Sequence, residues 1–154
     1  MKLAEALILR ADAQKRIQQL RERLARSARV QEGEQPAENP QELLDELGRA
    51  LDTIRDMVKR INRTNAATVF EDGATLTDAL AERDVLSLER SVLEGLIVAA
   101  SGQQARMYPY MVQEKTFRTI NIADIQKRMD DVARQYRELD SRIQAMNWTV
   151  ELLD

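Results

Sequence analysis

The sequence predicts an all-α fold, with four long helices arranged as antiparallel helical hairpins in a coiled-coil bundle and a small β-hairpin-like arm. Three observations carry this. From Ile122 through Ile125, Met129, Val132, Tyr136, Leu139, Ile143, Met146 and Val150 to Leu153, apolar residues recur at alternating spacings of three and four. Their mean period of about 3.5 residues keeps them on one face of a long helix and calls for a partner alongside. Charged residues make up 32% of the chain and aromatic residues 4%, so Leu, Ile, Val and Ala seams must supply most of the burial, as suits long helices rather than a sandwich or barrel. Finally, a basic block (Lys15, Arg16, Arg21, Arg23, Arg26, Arg29) precedes an acidic one (Glu32, Glu34, Glu38, Glu42, Asp45, Glu46) across a short connector. Folding back sets the two blocks face to face, and each also complements the dipole of its own helix end.

Taken in order, the first helix spans about 3–29, with Leu3, Ala6, Arg10, Ala13, Ile17, Leu20 and Leu24 on its seam. Residues 30–40 form an exposed connector holding Gly33, Pro36 and Pro40. The second helix, about 41–64, starts where proline is favoured and glutamate suits the dipole. Its seam reads Leu44, Leu47, Leu51, Ile54, Val58, Ile61 and, in the same phase, Asn65. The pattern then breaks, and Asp72-Gly73 is a turn signal within an expected β arm at about 66–74. Thr75 with Asp78 resembles a capping box, opening a third helix over about 76–101 that Gly102 stops. Residues 107–120, β-prone around Tyr108-Pro109-Tyr110, are the expected second half of the arm, paired with Val69-Phe70. Asn121 with Asp124 caps the fourth helix, about 121–153, whose roughly 32 residues would span about 48 Å. The whole chain reads as one domain.

Composition closes several routes to chemistry. With no cysteine and no histidine, the chain has no disulfide framework, thiolate nucleophile or thiolate metal site, and lacks the usual general base and nitrogen ligand. The di-iron pattern of helical bundles needs Glu-x-x-His and is excluded. No cofactor is expected. A net charge of -3 offers no global attraction to nucleic acid or an anionic membrane, and neither is an expected partner. No stretch approaches the roughly 18 apolar residues of a membrane span. Glu5, Arg10 and Asp12 interrupt any secretion-signal core in the first residues, so the expected location is cytoplasmic.

Four constellations merit weighing. The Lys15–Arg29 block could line a phosphate backbone, but it lacks interleaved aromatics and has acids within reach, so it reads as one side of a neutralised helix pair. Glu42-x-x-Asp45 has magnesium-ligand spacing, yet stands alone at a helix start where acids are favoured anyway. The run Asn62-Arg63-Thr64-Asn65 interrupts an apolar seam; its plain role is to end the seam or set register, and its functional role would be a polar site completed by Arg83 and Asp84, holding a small anionic ligand. The lone tryptophan, Trp148, sits off the main stripe, so Met146, Trp148, Val150 and Leu153 are candidate oligomer contacts.

Ile61-Asn62-Arg63-Thr64-Asn65, the run Thr75 to Asp84, Asn147-Trp148-Thr149-Val150-Glu151-Leu152 and the opening Met1 to Arg10 together resemble the septicolysin-like family of small bacterial proteins. That resemblance implies, through the family's name, a thiol-activated membrane-damaging toxin, whereas this chain holds no cysteine to activate. The expected function is a non-enzymatic helical bundle that self-associates as a homo-oligomer through coiled-coil seams. The alternatives are an anion-binding or enzymatic bundle built on Asn65 and Arg83, and the toxin activity that the resemblance implies.

Overall fold

A computed structural model describes residues 1–102 and 115–154 of the chain. Among these the fold is mostly helical: α1 (Leu3–Ser27), α2 (Pro40–Ala67), a hairpin of β1 (Val69–Glu71) and β2 (Ala74–Thr75), α3 (Leu76–Ala100) and α4 (Ile122–Thr149). Contacts divide it into two compact units, Met1–Leu76 with Gln144–Asp154, and Thr77–Ile143.

The first unit is built on the α1–α2 hairpin. Glu5 accepts the backbone N–H of Lys2 at 2.6 Å, so the start of α1 is capped from its own first turn. Asn39 caps α2 by accepting the Gln41 N–H at 2.9 Å, with Pro40 in the first turn where its missing N–H costs nothing. Arg16 pairs with Glu46 and Arg23 with Glu38 across the hairpin. Those pairs set an antiparallel register that brings Leu20 level with Leu43, Ala6 with Met57 and Leu3 with Ile61, all of them buried.

On α2 the structure selects a different stripe from the one the spacing suggested. Leu47, Ile54 and Ile61 serve both, but the buried phase is Leu43, Met57 and Thr64, with Ala50 half-buried between them, while Leu44 and Leu51 stay 48% and 43% exposed. Both stripes obey the three-four rule. The choice rests on α1, whose Ala6, Ala13 and Leu20 meet only one of them.

The β hairpin follows from two residues. Asp72 (φ 47°) and Gly73 (φ 82°) both lie in the left-handed region, as a two-residue primed turn requires. The turn returns the chain so that Val69 pairs with Thr75 and Glu71 with Ala74. The partner of Val69-Phe70 is therefore its own sequence neighbour. In the segment expected to complete the arm, 107–114 lie outside the described residues, and 115–120 form no strand.

The second unit pairs α3 with the Ile122–Ile143 part of α4. Asn121 caps α4 by accepting the N–H groups of Ala123 (2.9 Å) and Asp124 (3.3 Å). Gly102, at φ 70°, takes the left-handed residue after α3. Arg83 bonds Asp140 at 2.7 Å, and Arg128 bonds Glu89 at 2.7 and 3.0 Å. The two helices are thus antiparallel, with Leu86 level with Leu139 and Leu93 with Val132, all buried.

Candidate functional site

The polar interruption of α2 meets the end of the chain. Helix α4 stops at Thr149, and the next residues run back along the start of α1: Leu3 N–H donates to Val150 O (3.0 Å), Leu152 N–H to Met1 O (2.8 Å), and Lys2 pairs with Glu151 as an antiparallel bridge. The Lys2 ammonium reaches Glu151 at 2.6 Å and Thr149 O at 3.0 Å. Beyond this, α2 grips the tail. Thr64, fully buried, accepts the Leu153 N–H at 2.9 Å and donates to Arg60 O at 2.8 Å. The Arg60 guanidinium donates to Leu153 O and the Asp154 carboxylate, both at 3.0 Å, and Arg63 donates to Asp154 O at 2.9 Å.

Of the sequence-predicted polar residues, Arg63 and Thr64 are thus committed to the chain's own tail. Asn62 is exposed and Asn65 half-buried. Arg83 and Asp84 belong to the second unit, where Arg83 bonds Asp140 and Asp84 faces solvent. Arg60 was missed by the sequence reading: it continues the turn below Thr64, but its role depends on a backbone some ninety residues away, which no local pattern announces.

The candidate oligomer contacts divide. Trp148 is 57% exposed, while Met146 and Val150 are half-buried. Leu153 keeps an exposed side chain on a backbone pinned by Thr64 and Arg60. The neighbouring Asn147 is buried, within 3.5 Å of the Gln144 side chain.

A larger apolar feature, outside the predicted sites, lies on α3. Its inner face carries Leu86 and Leu93, and its outer face exposes Val85 (57%), Leu88 (64%), Val92 (63%) and Leu96 (37%). A helix apolar on both sides is expected to be covered on both. The signal was legible, since these residues keep helical spacing, but Leu86 and Leu93 of the inner face obey the same rule.

Electrostatics are local. The Arg23 guanidinium donates to Glu38, holding that carboxyl below its ordinary range and raising the guanidinium in turn. Hydrogen bonds from Lys2 and the N-terminal ammonium hold Glu151 down likewise. A cleft at the hairpin connector is lined by Arg26, Arg29, Val30, Gln31 and Glu34, mixing both signs of charge on exposed side chains. Among the described residues no three acidic side chains converge as a metal-binding group, and Asp45 accepts from the Gln41 amide. No described helix is long and apolar enough to cross a membrane.

Comparison with known proteins follows the same line. A crystal structure titled as that of a functionally unknown conserved protein from Corynebacterium diphtheriae matches with 44% identity and a TM-score of 0.89, covering 99% of each chain. No curated protein matches. The model of the family of unknown function DUF6847 matches residues 10–152. The resemblance to the septicolysin-like family is thereby corrected, and with it the toxin activity that it implied. Two of the motifs that suggested it have an architectural explanation: Ile61–Asn65 supplies Arg63 and Thr64, which hold Asp154 and Leu153, and Asn147–Leu152 supplies Val150, Glu151 and Leu152, which pair with the start of α1. With the match running over nearly its whole length, the chain belongs to the family of unknown function DUF6847.

Proposed function

We propose that this chain is a non-enzymatic interaction protein that self-associates through apolar helix faces, in a cytoplasmic setting that its lack of cysteine suits. The observation that carries the reading is the outer face of α3. Val85, Leu88, Val92 and Leu96 leave unburied the equivalent of a little over two whole side chains. Covering them would contribute about 3–6 kcal/mol per copy, at roughly 1.5–3 kcal/mol for each fully buried aliphatic side chain. Two copies together reach about 6–12 kcal/mol, comparable with the roughly 4–15 kcal/mol that association costs. The stripe therefore supports a reversible assembly, helped by any further apolar surface such as Leu44 and Leu51.

The polar residues lend less to the ligand-binding alternative. Thr64, Arg63 and Arg83 donate to Arg60 O, Asp154 O and the Asp140 carboxylate of the same chain, leaving few free donors to greet an anion.

The test is solution mass by light scattering across a tenfold concentration range. A mass rising from 17.6 kDa toward an integral multiple is the expected result. A constant 17.6 kDa at every concentration refutes self-association.

A further inference from the structure

We infer that the self-association surface is the outer face of α3, and that its occupant is the same face of a second copy, laid antiparallel about a two-fold axis near residue 90. The inference rests on the self-association reading above and deepens it by naming the interface. Six residues carry it: Ala81, Val85, Leu88, Val92, Gly95 and Ala99, all exposed and spaced alternately by four and three along one side of the helix. An isologous contact must be complementary to itself, and this stripe is so only in one direction. Reversing the second copy about residue 90 sets Leu88 against the second copy's Val92, Val85 against its Gly95, and Ala81 against its Ala99. The central layers then match leucine with valine, the next pair set Val85 into the room beside Gly95, and the outermost bring two alanines together. Gly95 has nothing within 4 Å of where a Cβ would stand, so the open space is there for Val85 of the second copy. In the parallel arrangement Val85 would meet Val85 and Gly95 would meet Gly95, a swelling and a void in the same seam.

Charge does not oppose the arrangement. Glu89 lies beside the axis, where its symmetry mate would repel it, but its carboxylate is drawn onto Arg128 of its own chain at 2.7 and 3.0 Å. Asp84 falls opposite Leu96 rather than another acid. The extent also fits. Four half-exposed aliphatic side chains per copy, with the small residues between them, make a modest contact of the size of reversible rather than obligate dimers.

The native chain has no cysteine, so introduced thiols report without background. In the double variant Ala81→Cys/Ala99→Cys the two thiols are eighteen residues apart on one helix, about 27 Å at 1.5 Å per residue. A disulfide needs Cα atoms within about 7 Å, so the two cannot join within one chain. Under mild oxidation at a concentration where the mass is dimeric, most of the protein is expected to become a covalent dimer, with peptide mapping showing residue 81 joined to residue 99. A linkage of 81 to 81 or 99 to 99 overturns the antiparallel geometry. A dimeric mass with no covalent dimer overturns the α3 interface while leaving self-association standing. A monomeric mass for the unmodified protein removes both. Should the double variant fold poorly, equimolar mixing of the two single variants gives the same reading through a mixed 81–99 linkage.

Discussion

Replacing Thr64 with valine removes one oxygen from the first unit and little else. Valine keeps the β-branched shape and the rotamer preference of a helical threonine, so the packing of this fully buried position is preserved. What is lost is the acceptor for the Leu153 N–H at 2.9 Å and a donor to Arg60 O at 2.8 Å. The carbonyl of Arg60 retains its helical partner, and Leu153 sits near enough to solvent for water to compensate in part. The expected loss is therefore about 1 kcal/mol, within the range for a hydrogen bond whose donor is left incompletely paired. In a chain of this size that shifts Tm by about 2–4 °C. Trp148, the single tryptophan, lies in the same unit, so its emission in a urea titration reports on the right structure. The decisive form is a cycle with a chain lacking Leu153 and Asp154. Thr64→Val should be close to neutral in that background, giving a coupling of about 1 kcal/mol. A cost of similar size in both backgrounds would refute the idea that Thr64 holds the tail.

Other predictions follow from the same geometry. Leu88→Glu, at a position already mostly exposed, should leave helicity unchanged by circular dichroism and reduce the solution mass to that of one chain; an unchanged multiple would exclude α3 as the interface. Glu38 is held below its ordinary pKa of 4.5 chiefly by the hydrogen bond from Arg23. Its contribution is thus present above that pH and lost as the pH falls through the lower folded value. Glu38→Gln should therefore be less stable than the parent at neutral pH and converge with it in acid, with high salt shrinking the difference. Arg83→Ala should lose up to about 1 kcal/mol, because its partner Asp140 is only partly buried. The loss should shrink when Asp140 is already asparagine, as a thermal melt of the four chains would show. Gly73→Ala, at φ 82°, should cost about 1 kcal/mol through left-handed strain, and an unaffected melting temperature would argue against the primed turn.

The helical class was legible because it depends on local rules. Pro40 marks one helix start because proline suits a first turn, Asn121 marks another by side-chain capping, and Asp72-Gly73 marks the turn by its tolerance of positive φ. The opposed charge blocks announced the α1–α2 hairpin, and Arg16–Glu46 and Arg23–Glu38 are its realised pairs. Where two answers satisfied one rule, the residues alone could not choose. On α2 both the Leu44 and the Leu43 phases are heptad stripes, and on α3 both faces are apolar. The polar interruption around Thr64 was visible, but its partner was not, since Leu153 lies far along the chain.

Periodicity, capping and turn chemistry act within a few residues, so the amino-acid order by itself determined that this protein is helical and roughly where each helix starts. Which stripe is buried, which apolar face remains open on α3, and where Thr64 and Arg60 spend their hydrogen bonds were decided only by tertiary structure. These are contacts between segments distant in sequence, and their energies depend on what the opposing helix presents.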